Sequence, residues 1–228
     1  IIDAKYVTDG LILFFDANNK DSFKEQDTWK DLSGQENDFK LYNSPEITEE
    51  GIKFNCLNQY AKSISKIDLT NIESVTVEVR YKSEDTSRVA MLFEHTSNWN
   101  NVTGGFGLAI NSDGYNSRPN RFHTNHNSQR PRNYTKEINN DISTHTNIYS
   151  SVAKINGRLT YIDSIKMQYI DSFGTDNQTS NGQFTNDYMF IASRNGTESF
   201  LNGTIMSVRV YNRALTEEEI IKNYNADL

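Results

Sequence analysis

The 228-residue sequence contains only one cysteine and three prolines. Cys56 cannot form an intrachain disulfide, so the fold must depend on its core, where we expect Cys56 to be a small buried residue. No apolar run approaches the roughly 20 residues that cross a bilayer, which argues against membrane insertion. The formal net charge of −7 disfavours nucleic-acid binding, because attraction to phosphates needs positive charge.

The aromatic residues are numerous, with 12 Tyr, 12 Phe and 2 Trp, as in a globular protein. No linker or shift in composition divides the chain, so we expect one domain over residues 1–228. The start, IIDAKYVTDG, has neither a Met nor a basic-then-apolar leader, and we expect an excised or processed domain.

Alternation with a period of two residues dominates the pattern. In SVTVEVRYK the apolar side chains of Val75, Val77, Val79 and Tyr81 fall on one face, which predicts a half-buried antiparallel strand. The segments RVAMLFEH, GGFGLAIN and YMFIASR predict more central strands. Asn156-Gly157 predicts a hairpin turn. GTIMSVRVYN predicts a strand with one face formed by Thr204, Met206, Val208 and Val210.

One helix is predicted, at the end of the chain over residues 216–226. Thr216 and Glu219 form a capping box. The predicted docking stripe is Ile220, Ile221 and Tyr224. Many short strands and one helix predict an all-β antiparallel β-sandwich with a short C-terminal α-helix. Residues 112–138 and 171–187 are predicted to be long loops.

Both ends of the chain carry a family pattern. The opening GLILFFDANN, followed by TWKDLSGQENDFKLYN, and the closing FLNGTIMSVRVYNRALTEEEIIKNY resemble concanavalin A-like, laminin-G-like jelly-roll domains. The sequence departs from that pattern at Asn55, Cys56 and Leu57. The resemblance implies a jelly-roll sandwich with Trp29 in the core. It also implies an extracellular location, on a cell surface or virion, in a bacterial surface or phage protein.

The fold that this resemblance implies also includes glycosidases and lyases. A glycosidase of this kind needs paired carboxylates on one strand face. Glu25-x-Asp27 and Glu36-x-Asp38 lack the closing acid, and Glu78 has no second acid at the required spacing. We therefore expect no enzymatic activity, although acids from separate strands could still meet.

The stretch RFHTNHNSQRPRNY predicts a ligand-binding rim. Residues 114–135 contain four arginines and no acid. The planar guanidinium group of an arginine can donate two parallel hydrogen bonds to a carboxylate, and a tryptophan in a loop can stack on a pyranose ring. A metal shared by the two histidines is disfavoured, because on an extended chain they point to opposite faces. The predicted ligand-binding residues, in two loops, are Asn98, Trp99, Arg121, His123, Asn125, His126, Arg130 and Arg132. The alternative is a solvated rim, with the tryptophan plugging the sandwich edge.

The resemblance also implies a structural calcium ion, for which we predict Asp16, Asn18 and Asp31 as ligands. They lie in DANNKD and DLSGQEND, whose oxygen atoms suit calcium. Turn capping by the same residues is the alternative. No cofactor is otherwise required.

The predicted function is non-catalytic, lectin-like binding of a cell-surface glycan, and the arginines lead us to expect a glycan with anionic groups. The chain would be part of a larger bacterial surface protein or a phage tail or receptor-binding protein. A phage fibre would make a homotrimer natural. The second hypothesis is a structural or protein-docking domain of a virion or adhesin, and the third is a polysaccharide hydrolase or lyase.

Overall fold

The structure is a computed structural model. It describes residues 5–23, 27–85, 87–98, 104–110, 120–125, 132–135, 147–154, 157–166, 169–173 and 184–228. Between residues 120 and 173 the description is of backbone pairing, with side chains only at Tyr161, Asp163 and Ser164. Among the described helices, none is both long and apolar enough to cross a membrane.

The described residues form nineteen strands, one 3-10 helix (Lys20–Ser22) and one α-helix. The strands are β1 Leu11–Asp16, β2 Thr28–Trp29, β3 Phe39–Tyr42, β4 Glu46–Ile47, β5 Ile52–Asn55, β6 Tyr60–Ser63, β7 Ile67–Asp68, β8 Ser74–Ser83, β9 Ala90–His95, β10 Gly105–Ile110, β11 Asn120–Asn125, β12 Arg132–Thr135, β13 Asn147–Lys154, β14 Gly157–Ile162, β15 Ile165–Lys166, β16 Tyr169–Phe173, β17 Asn186–Asp187, β18 Met189–Ile191 and β19 Asn202–Tyr211. The helix, α1, is Glu217–Asp227.

Two large antiparallel sheets make the sandwich. The first has the order β15-β14-β13-β8-β19-β5-β4, with β1 also paired to β19. The second has nine strands in the order β16-β12-β11-β10-β9-β18-β6-β3-β2. The strands predicted to be central, β9, β10 and β18, lie in the middle of the nine-stranded sheet. The all-β sandwich is thus confirmed.

The core between the sheets contains the alternating residues that the sequence predicts. Val75, Val77, Val79 and Tyr81 of β8 are fully buried there. Trp29 is also fully buried, and its ring stacks on Phe15 at 4.5 Å between centroids. The hairpin predicted at Asn156-Gly157 joins β13 to β14, which pair as far as Lys154 and Gly157. Cys56 differs from expectation, because it is half-buried at φ +63.

The single alternating face predicted for β19 is wrong. The pairing of β19 with β8 shifts between Ile205 and Ser207, which marks a β-bulge or similar irregularity. An extra residue in a strand reverses the side chains that follow. Ile205 therefore joins Val208 and Val210 in the core, whereas Thr204 and Met206 do not.

The helix α1 has the predicted capping box between Thr216 and Glu219. Its docking stripe differs from the prediction: Ile220, Asn223 and Asp227 are buried, whereas Ile221 is 39% exposed. Polar residues occupy the stripe because the helix covers a polar surface.

That surface is the other face of β8 and β19, where Glu78 and Arg209 are each 1% exposed. Arg209 donates to Glu78 Oε2 at 2.9 Å and to both carboxylate oxygens of Asp227 in α1. Asn223 donates to Glu78 Oε2 at 2.8 Å. Tyr6 donates to Asp227 Oδ1 at 3.0 Å. This buried network joins the N-terminal segment, the sheet and the helix.

The two long loops of the prediction are partly strands. Residues 112–138 contain β11 and β12, which pair with each other and extend the nine-stranded sheet. Residues 171–187 contain the end of β16 and all of β17. Asparagine is depleted in strands, and in β11 the pairing with β10 overrides this preference.

Candidate ligand-binding face

The candidate site lies on the outer face of the nine-stranded sheet, which is the face turned away from the core. One row of directly paired residues crosses seven strands on this face. The cross-strand row is Lys40, Lys62, Phe190, Glu94, Gly107, His123 and Arg132.

Alternation places this row on the outer face. Phe39 and Leu41, which flank Lys40, are core residues, and so are Phe106 and Leu108, which flank Gly107. Successive residues of a strand point to opposite faces, and directly paired residues share a face. The row from Lys40 to Gly107 therefore turns away from the core, and the backbone pairing places His123 and Arg132 at positions in register with it.

Four predicted ligand-binding residues come together on two adjacent strands of this row. Arg121, His123 and Asn125 alternate along β11, and Arg132 of β12 pairs directly with His123. Tyr134 pairs with Arg121 and so adds an aromatic residue to the same face. The prediction that these residues form loops is wrong, because they belong to the sheet. The backbone register places them at positions that share one face, and their role in binding stays a prediction.

Of the remaining predicted ligand-binding residues, the structure describes one, Asn98. Trp99, His126 and Arg130 fall outside the described residues. Asn98 is exposed and follows β9, and its backbone N–H donates to Thr96 Oγ1 at 3.1 Å.

Asp187 fixes the start of the segment that contains Asn98. Its Oδ2 accepts 2.8 Å hydrogen bonds from both the backbone N–H and the hydroxyl of Ser97. Burial opposes ionisation of Asp187, but the hydrogen bonds from Ser97 and Tyr188 hold its pKa below the ordinary value. The carboxylate therefore stays charged and clamps the end of β9.

Neighbouring His95 belongs to the core and not to the outer face. Its Nε2 donates to the backbone carbonyls of Ile67, at 3.0 Å, and Asp187, at 3.2 Å. Burial lowers the pKa of His95 to about 4. It is thus a neutral structural histidine.

Glu94 occupies the centre of the row and is fully buried. Its Oε1 accepts from Arg194 Nε at 3.3 Å, and its Oε2 accepts from the backbone N–H of Asn195 at 2.9 Å. Burial raises the pKa of Glu94 to about 7, although Arg194 and these hydrogen bonds oppose the shift. The turn at residues 194–198 therefore covers the middle of the outer face.

A second cluster on this face is not among the predicted sites. We call Lys40, Tyr42, Tyr60, Lys62, Lys66 and Tyr188 the lysine–tyrosine patch. The rings of Tyr42 and Tyr60 stack at 4.6 Å. Lys62 Nζ lies 3.9 Å from the ring centroid of Tyr188. The signal in the sequence was the Lys/Tyr alternation in FKLY and YAKS, but only the pairing of β3 with β6 brings those faces together.

The residues predicted for calcium have structural hydrogen bonds. Asp31 accepts four: from the backbone N–H groups of Phe14, Ser33 and Asn37, and from the Ser33 hydroxyl. These bonds fill the roughly four acceptor sites of a carboxylate. Asp16 Oδ1 accepts from the Asn18 backbone N–H at 3.0 Å.

Across the described residues, no group of three or more His, Cys, Asp or Glu side chains is placed to hold a metal ion. Asp31 would have to give up hydrogen bonds to coordinate calcium, so it is a poor fit as a ligand. The calcium site at Asp16, Asn18 and Asp31 stays a prediction.

The sandwich and its closing helix agree with the family comparison. A family model described as the concanavalin A-like lectin/glucanases superfamily, of the laminin-G type, matches residues 57–221. The match covers most of the chain, and the protein belongs to this superfamily. A comparison with curated protein sequences finds no significant match.

Solved structures share the fold at low sequence identity. Trypanosoma rangeli sialidase, in complex with 2,3-difluoro-KDN, superposes with a TM-score of 0.65 at 15% identity, covering 96% of this chain and 33% of that chain. A botulinum neurotoxin type C structure that concerns interaction with two ganglioside molecules gives 0.68 at 14% identity, covering 96% and 52%. The binding domain of botulinum neurotoxin DC in complex with SialylT gives 0.67 at 14% identity, covering 96% and 52%. This chain thus spans about a third to a half of those chains, and the likeness is one of fold.

Proposed function

We propose that this chain is a non-catalytic carbohydrate-recognition module whose glycan lies on the outer face of the nine-stranded sheet, at β10–β12. The observation that carries the proposal is the register that brings Arg121, His123 and Arg132 to one face on adjacent strands. Guanidinium groups bind carboxylates and hydroxyls in a fixed planar geometry. Asn125 on the same face would add an amide.

The charge of this segment favours an anionic glycan. Residues 114–135 contain four arginines and no acid in a chain of net charge −7. The overall charge would repel an anionic ligand, so binding needs such a local cationic region. In this proposal Asn98 and Trp99 border the site, and Trp99 stacks on a sugar ring. His126 and Arg130 belong to the segment that joins β11 to β12.

Non-catalytic binding is proposed because of where the buried acids lie. Glycoside hydrolysis uses two carboxylates roughly 5–9.5 Å apart. Burial raises the pKa of two glutamates, Glu78 and Glu94, but they belong to different sheets. Glu78 is bonded to Arg209 and Glu94 to Arg194, so each has a structural partner.

The proposed setting is extracellular, in a larger bacterial surface protein or a phage receptor-binding protein. Two of the similar folds occur in chains described with gangliosides or a sialylated ligand. Those chains are longer than this one, so they support the choice of glycans as ligands to test and no more.

A glycan array tests the proposal. Binding of the purified chain to a related set of acidic glycans, in calcium and again in EDTA, is the expected result. Binding that is present in calcium and lost in EDTA would show that calcium is part of the site. Absence of binding in both conditions would refute glycan recognition and favour the structural or protein-docking hypothesis.

A further inference from the structure

We infer that the lysine–tyrosine patch is a second anion-binding site, which takes a carboxylate or sulfate group of an acidic glycan. The inference rests on the proposed function for its ligand class. It concerns side chains at the other end of the same sheet face, far from the predicted arginines.

The charges in the patch are incompletely compensated. Lys40 and Lys62 are directly paired across β3 and β6, and like charges in that position repel each other. Lys40 Nζ lies 3.3 Å from Asp27 Oδ2, but both side chains are more than half exposed, so solvent weakens the pair. Lys66 Nζ is 4.0 Å from Asp187 Oδ1.

Lys62 is the centre of the patch. Within the described part of the chain, no carboxylate lies within salt-bridge distance of its ammonium group. An anion placed between Lys62 and Lys40 would convert their repulsion into two attractive contacts.

Aromatic rings hold the Lys62 ammonium in place. Its Nζ is 3.9 Å from the ring centroid of Tyr188 and 5.6 Å from that of Phe190. A cation over a ring face is attracted to it, and the side chain is then ordered before any ligand arrives. Lysine loses much rotamer freedom on binding, so this order lowers the entropic cost of holding an anion.

The patch lies on the cross-strand row that also contains His123 and Arg132. Four strand spacings separate Lys62 from His123 in the sheet. At roughly 4.8 Å for each spacing, their backbones are about 19 Å apart. Between them Glu94 is buried and paired with Arg194, so its carboxylate is shielded from a ligand. An acidic glycan would therefore meet positive charge at both ends of the row.

Titration calorimetry with defined oligosaccharides tests the inference. The probes are a heparin hexasaccharide, a hexauronate from alginate and neutral maltohexaose. Lys62→Met should weaken binding of at least one acidic probe roughly tenfold, the loss of one charge-assisted contact. Lys53→Met is the matched control, because Lys53 is a partly exposed lysine on the other sheet, paired with Glu84. Its affinity should equal that of the wild type.

The Arg121→Ala and Arg132→Ala variants, measured with the same probes, separate the two proposals. Losses in the arginine variants with unchanged affinity in Lys62→Met would overturn the second site and leave the proposed function intact. No binding of any probe by the wild type would overturn both. Binding to phosphatidylserine vesicles that depends on Lys62, without oligosaccharide binding, would assign the patch to a membrane surface and also overturn the inference.

Discussion

The buried network around Arg209 should make Asp227, in the last turn of α1, important for the stability of the fold. Arg209 is 1% exposed, and Asp227 bonds to two of its guanidinium nitrogens. Asp227→Ala would leave the buried guanidinium with Glu78 as its one acidic partner and would remove the acceptor of the Tyr6 hydroxyl.

Breaking a buried ion pair from one side costs about 3–5 kcal/mol, because the remaining charge is buried and uncompensated. Native domains are stable by only about 5–15 kcal/mol, so the loss is a large share of the total. For a chain of this length it corresponds to a fall in Tm of roughly 6–20 °C.

Urea unfolding followed by tryptophan fluorescence measures this effect, because Trp29 is fully buried against Phe15. The matched control is Asp9→Ala. Asp9 also pairs with an arginine, Arg213 at 2.8 Å, but its side chain is 85% exposed. The control should lose less than about 1 kcal/mol. Equal small losses in both variants would show that α1 does not depend on the network, and would refute the reasoning.

Three further predictions concern titration, packing and metal. Burial holds a proton on Glu94 up to about pH 7, against an ordinary pKa of 4.5, so this group's contribution to stability falls as pH rises between those values. Burial keeps His95 neutral down to about pH 4, against 6.5, so its contribution rises with pH over that range. In Glu94→Gln the free energy of unfolding should therefore rise more steeply from pH 4.5 to 6.5 than in the wild type, and parallel curves from urea titrations would contradict this. Gly203→Ala would place a Cβ 2.2 Å from the backbone oxygen of Lys82 and should lower stability by about 1–3 kcal/mol or more; an unchanged Tm would show that the strands separate freely there. If calcium binds as predicted, it should raise Tm, Asp16→Ala should remove the shift, and no shift in the wild type would contradict the site.

The parts of the fold that the sequence could predict depend on local patterns. The alternation in β8 required only the period of a strand, and its apolar residues are in the core as predicted. The capping box at Thr216 and Glu219 required only two residues three positions apart. Each of these two signals is contained within a few consecutive residues, so no knowledge of the tertiary structure was needed.

The features that the prediction missed depend on contacts between distant segments. Glu78 looked like a solvent-facing residue of β8, but α1 covers it, and its partner Asn223 is 145 positions away. The irregularity near Met206 in β19 has no local signature. The polar segments of β11 and β12 become strands because β10 offers a neighbouring edge.

The candidate site was partly predictable for the same reason. Composition alone indicated Arg121, His123 and Arg132 as candidates, since arginines without acids are unusual in an acidic chain. The face that they share follows from the register of β10–β12, which composition does not reveal. The lysine–tyrosine patch was missed because its members come from two strands, β3 and β6, and from the residues just before β7 and β18.

The central claim is that the face formed by β10–β12 binds an acidic glycan, and an affinity measurement tests it most directly. The best acidic glycan from the array would be titrated into the wild type, an Arg121→Ala/Arg132→Ala double variant and a Lys53→Ala control. Lys53 belongs to β5 of the other sheet and pairs with Glu84, so its loss removes positive charge without touching the site. We expect the double variant to lose at least about 100-fold in affinity, one factor of ten for each charge-assisted contact, and the control to bind like the wild type. Equal affinity in all three proteins would contradict the account.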